Sequence, residues 1–91
     1  MTKLIKILHV SSALSWRGGE QQIVNLLDGL NLIDDRVDQM VYCARNSALE
    51  KYLISNQFPC KSGKKKSAIS LFFVNGLISL IKNYQPNIIH I

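Results

Sequence analysis

Apolar and polar positions along the chain follow two alternating rhythms. Residues 3–10, KLIKILHV, are dense in Ile, Leu and Val and end at Ser11 and Ser12, the pattern of a strand buried on both faces. Residues 20–33 place apolar side chains at Ile23, Leu26, Leu27, Leu30 and Ile33, the spacing of a helix with one face inward. After the polar DDRVD turn, residues 39–44, QMVYCA, read as a second strand. Residues 46–57 predict a second helix, with Asn46 or Ser47 as N-cap and Leu49, Leu53 and Ile54 inward. FPCKS, residues 58–62, is a short third strand, edge-like because Pro59 has no N–H to donate. A polar GKKKS loop follows. Residues 69–84 predict a third helix, stopped by Pro86, and NIIHI, residues 87–91, a fourth strand.

Strand and helix thus alternate as β-α-β-α-β-α-β, with no internal repeat. Such alternation implies right-handed crossovers and an α/β fold, a parallel sheet with helices on both faces. The simplest strand order is 3-2-1-4, Rossmann-like, with the first strand central. Its carboxyl end then runs into SWRGGE at the switch point, where open α/β sheets bind ligands. The fourth strand would present a bare apolar edge. The expectation is therefore that residues 1–91 are the first part of a longer protein.

Composition narrows the partners. The 91 residues suit one small domain, and a hydrophobic fraction of 47% supports a packed core. A net charge of +5 favours an anionic partner such as a nucleotide, a phosphorylated lipid or a membrane surface. Nucleic acid is disfavoured, because Lys61, Lys64, Lys65 and Lys66 cluster around one loop and are not interleaved with aromatics. Cys43 and Cys60 match no metal spacing and are too few for a disulfide scaffold; both read as buried, reduced thiols, which points to a reducing compartment. Lys6 and His9 interrupt the first apolar run, which argues against a signal peptide. Residues 68–81 are apolar but too short to span a bilayer, with Asn75 and Gly76 in their middle.

The candidate chemistry gathers at the first strand-to-helix junction. Gly18 and Gly19 permit positive φ and close backbone approach, just where a helix N-terminus offers free N–H groups to an anion. A plain turn explains them equally well. The dinucleotide fingerprint is absent, since no further glycine lies between Ser11 and Gly18 or between Gly19 and Gly29. SGKKKS is no P-loop: Phe58 stands where its first glycine belongs, and Lys65 where Ser or Thr belongs. It reads as a solvated basic loop or a contact for anionic lipid headgroups. Trp16 and Arg17 flank the glycines, able to stack on or pair with a ligand or to anchor a lid. Glu20 suits the helix dipole. His9 reads as packed within the first strand, whereas His90 reaches the same end of the sheet as the glycines. No Ser-His-Asp set, carboxylate pair or metal cluster can be assembled, so no catalytic residue is assigned.

KILHVSSALSWRGGEQQIVNLLDGL resembles the opening of glycosyltransferase family 4 enzymes, and NIIHI after Pro86 resembles their fourth strand. The resemblance implies a GT-B fold of two Rossmann-like domains facing across a cleft, of which this chain is the first half of the acceptor domain. It implies a retaining enzyme that transfers sugar from a nucleotide-sugar donor to a cell-envelope glycan or lipid-linked acceptor, with no cofactor and no metal in this part. The fragment alone would not catalyse transfer. Gly18 and Gly19 would shape the donor-facing loop, Arg17 and Glu20 would border the acceptor cleft, and His90 would stand near its floor. Lys61, Lys64, Lys65 and Lys66 would dock a cytoplasmic protein on the inner face of the plasma membrane. Three features depart from the family pattern. Glu20 follows Gly19 directly, as in a WRGGEQQ subgroup; Asn87 replaces the usual Asp; and the donor domain is missing. The alternative is a small α/β nucleotide-binding or non-enzymatic interaction domain. The nucleotide-binding form predicts an acidic residue after the second strand, where Cys43-Ala44-Arg45 stands.

Overall fold

The computed structural model describes residues 5–15, 18–33, 36–63 and 71–91. Seven elements follow one another: β1 (Ile5–Ser11), α1 (Gly18–Ile33), β2 (Val37–Ala44), α2 (Ala48–Ser55), β3 (Cys60–Gly63), α3 (Leu71–Tyr84) and β4 (Ile88–His90). The strands form one parallel sheet in the order β3-β2-β1-β4, the Rossmann-like arrangement that the alternation implies. Register aligns His9 with Val41 on one side and with His90 on the other.

Each face of the sheet carries its own core. On one face α1 and α2 bury Ile23, Val24, Leu27, Leu49 and Leu53 against Val41 and Cys43. On the other, Leu8, Val10, Tyr42 and Ala44 pack under Phe73 of α3, with Leu77, Leu80, Ile81 and Tyr84 completing the stripe. Strand alternation makes this division, because neighbouring side chains leave opposite faces. Burying a Leu or Val in such a position contributes about 1.5–3 kcal/mol.

Two inward positions differ from expectation. Leu26 is 39% exposed and Ile54 62% exposed. The buried stripe of α1 runs through Glu20, Ile23, Val24 and Leu27, so Leu26 lies at its margin. In α2 the stripe is centred on Leu49 and Leu53, and Ile54 turns outward. The Ile33 side chain lies outside the described residues.

Local chemistry sets the helix ends. Ser47 is the N-cap of α2; its hydroxyl accepts from the Glu50 N–H at 3.1 Å. Glu50 reaches back and accepts from the Asn46 N–H at 2.7 Å, a variant of the reciprocal capping box. At the other end Gln57 takes φ 60, while the Phe58 N–H donates to Leu53 O at 2.9 Å and the Gln57 N–H to Ile54 O at 3.2 Å. That is a Schellman turn with Gln where Gly is usual. α3 ends with Gln85 at φ 55, and Pro86 bars its continuation.

Tyr42 explains two glycines. Its hydroxyl donates to Phe73 O at 2.7 Å, and a Cβ on Gly63 or on Gly76 would strike that hydroxyl. Gly63 therefore belongs to β3 and not to the polar loop, and Gly76 is a seat in α3 for a buried tyrosine. Cys43 is buried and Cys60 only half-buried, both free. Burial, then the neighbouring Cys60, pushes the Cys43 thiol up to about 12. Among the described residues no helix is long and apolar enough to cross a membrane.

Candidate functional site

A cavity of about 260 Å³ opens at the carboxyl ends of β1 and β4, beneath the first turn of α1. Its walls are Val10 to Ala13 from β1 and the segment after it, Gly19, Glu20, Gln22 and Ile23 from α1, and His90 and Ile91 from the end of β4. β1 and β4 flank the point where strand order reverses, so this is the switch-point crevice of the fold. Gly19 and Glu20, neighbours in the first turn of α1, meet His90 from the far end of the sequence there as walls of one space.

The glycines do not form a loop before the helix. Gly18 and Gly19 are the first two residues of α1, and neither has positive φ. Both are exposed, and a Cβ on either would meet nothing within 4 Å. Torsional need and internal packing therefore do not explain them; what they provide is bare backbone at a helix N-terminus, where N–H groups lack intrahelical acceptors. Gly19 lines the cavity. Trp16 and Arg17 lie outside the described residues, as do Lys64, Lys65 and Lys66. Lys61 is exposed and belongs to β3.

Glu20 turns inward. Its side chain is 4% exposed, and Oε2 accepts from the Ser11 hydroxyl at 3.2 Å. A carboxylate in the first turn is favoured by the helix dipole. No Lys or Arg lines the cavity among the described residues. The polar groups on its walls are the hydroxyls of Ser11 and Ser12, the Glu20 carboxylate, the Gln22 amide and the His90 imidazole.

His90 belongs to a line of hydrogen bonds that runs across the sheet. Its Nδ1 lies 3.1 Å from Nδ1 of His9, with the rings edge to face. Nε2 of His9 lies 2.9 Å from Oε1 of Gln39. The Gln39 amide donates to Leu27 O at 3.3 Å and to Asn31 Oδ1 at 3.1 Å, both on α1. His9 and Gln39 are buried, and among the described residues every buried side-chain nitrogen and oxygen has a partner. Burial holds the His9 pKa below its ordinary value; Gln39 opposes the shift and His90 adds to it.

His9 lies in the packed core, as its place within the first strand implies, and it also contacts the cavity wall through His90. Gln39 is a residue of this line that the strand pattern does not single out. Its signal is a polar residue on the face of β2 that α1 covers, where Val37, Val41 and Cys43 are apolar. Among the described residues no group of three His, Cys, Asp or Glu side chains could hold a metal ion. Compared with protein-family models, with curated proteins and with solved structures, the chain matches none.

Proposed function

We propose that the chain is the first half of the acceptor domain of a retaining, nucleotide-sugar-dependent glycosyltransferase. The observation that carries this reading is the chemistry of the switch-point cavity. Its walls carry hydroxyl, carboxylate, amide and imidazole groups. That set matches the hydroxyls of a sugar, each of which can donate and accept, better than it matches a phosphate. The volume of about 260 Å³ falls just under the range of about 300–1,000 Å³ for drug-sized ligands, room for a sugar ring but not for a whole nucleotide sugar. The diphosphate would instead approach the open backbone of Gly18 and Gly19, and Arg17 would border the acceptor. The resemblance to glycosyltransferase family 4 supports the same assignment. The basic stretch with Lys61, Lys64, Lys65 and Lys66 would hold the protein at an anionic membrane.

A non-enzymatic interaction domain is the second reading. It draws on the exposed apolar residues Phe72, Val74 and Ile78 of α3 and Ile88 and Ile89 of β4. The coding sequence beyond codon 91 decides between the two. A continuation that encodes a second α/β domain with paired glutamates supports the glycosyltransferase. A stop followed by unrelated sequence overturns it.

A further inference from the structure

The hydrogen-bond line that ends on His90 begins at a group that can only accept. Leu27 O is a backbone carbonyl, so the nitrogen of the Gln39 amide must face it. That orients the amide and turns Oε1 toward His9. Oε1 also only accepts, so Nε2 of His9 carries a hydrogen. Burial keeps the His9 ring neutral at neutral pH, and a neutral imidazole has one N–H. Nδ1 of His9 is then a lone pair. The atom 3.1 Å away, Nδ1 of His90, must be the donor.

We propose that Gln39 and His9 are positioning residues that hold His90 in its Nδ1–H tautomer, so that Nε2 presents a lone pair to the cavity and accepts a hydrogen bond from a ligand hydroxyl. In water the imidazole side chain favours the opposite form, with the hydrogen on Nε2. The line from α1 through β2 and β1 to β4 therefore selects the less common tautomer at the cavity wall. Nε2 has no partner among the described residues, so the lone pair is left for a ligand. It gives this wall an acceptor. A polyol brings the matching hydrogens, whereas a fully ionised phosphate brings none. The ligand class rests on the glycosyltransferase reading; the tautomer does not.

The test separates the two. Long-range proton–nitrogen correlation spectra of the nitrogen-15-labelled chain at about pH 8, above the ordinary histidine range, read the hydrogen on each ring nitrogen directly. The expected result is Nε2–H for His9 and Nδ1–H for His90. Finding Nε2–H on His90 overturns the positioning role, whatever the protein binds. Gln39→Leu removes the acceptor and is expected to return His90 toward Nε2–H; a folded Gln39→Leu with His90 unchanged also overturns it, and if that variant does not fold the wild-type spectrum decides alone. Titration with glucose, a polyol without phosphate, is expected to move the His90 Nε2 resonance, with affinity about tenfold weaker in Gln39→Leu, the lower end of what losing a group that orients a metal-ligating histidine costs. The expected tautomers with no response to glucose would sink the polyol ligand and leave the positioning standing.

Discussion

The two faces of the sheet each bury a polar side chain and satisfy it on a helix carbonyl, but to different ends. Under α3, the Tyr42 hydroxyl donates to Phe73 O and is boxed in by Gly63 and Gly76. The arrangement is closed, and nothing in it reaches the switch-point cavity. Under α1, the Gln39 amide donates to Leu27 O, but the line continues through His9 to His90 and stops at the cavity. A buried hydrogen bond that terminates inside the protein serves stability. One that passes through a ring with two nitrogens can carry orientation from the core to a ligand.

The largest expected effect breaks the closed side. Gly63→Val sets side-chain atoms against the Tyr42 hydroxyl and the Phe73 backbone, and is expected to cost about 3 kcal/mol in urea denaturation, the upper end for overpacking. The tautomer of His90 should not change in any folded fraction. On the open side, His9→Phe keeps a planar ring but leaves Gln39 Oε1 buried without its donor. A loss of about 2 kcal/mol is expected, and here the His90 tautomer should change as well. A folded His9→Phe that loses stability while the His90 ring spectrum stays fixed would erase the distinction between the faces.

Acid sharpens the contrast further. His9 has a folded pKa below its unfolded value near 6.5, so the unfolded chain binds more protons in the window between them. Stability is full above that unfolded value and falls as pH drops through it toward the folded pKa. Urea midpoints measured from neutral pH downward should decline in the wild type, and His9→Phe should remove that part of the slope. The smallest effect is Gly19→Ala. The new Cβ meets nothing, and helix propensity favours alanine, so a gain of at most about 1 kcal/mol is expected. If bare backbone there serves a diphosphate, UDP-glucose binding should weaken in the same variant that gains stability. Equal binding would leave the glycine with no role at the site.

The sheet order was legible because it needs only the alternation of periods and the handedness of crossovers. The cavity was legible in outline, since the switch point follows from that order. The start of α1 was not: glycines show no periodicity, and the first side chain on its buried face is Glu20. The His9–His90 contact could not be read from either strand alone, because it depends on the register between them. The seats of Tyr42 were equally hidden, as Gly63 and Gly76 mark no turn and matter only through what lies opposite.

β4 runs over Ile88–His90, and side chains at both of its ends join it to β1. At its start, the Asn87 N–H donates to Lys6 O, and Asn87 Oδ1 accepts from the Lys6 N–H, both at 2.8 Å. An aspartate at this position would offer the same acceptor atom. At its other end, His90 meets His9. A slip of one residue would turn His90 to the α3 side and set an isoleucine against the His9 nitrogen. Asn87 and His90 thus proofread the docking of β4, and a strand seated wrongly would leave both keys unturned. Assembly of the sheet and correct presentation of the cavity histidine are then one event, checked by the same two side chains.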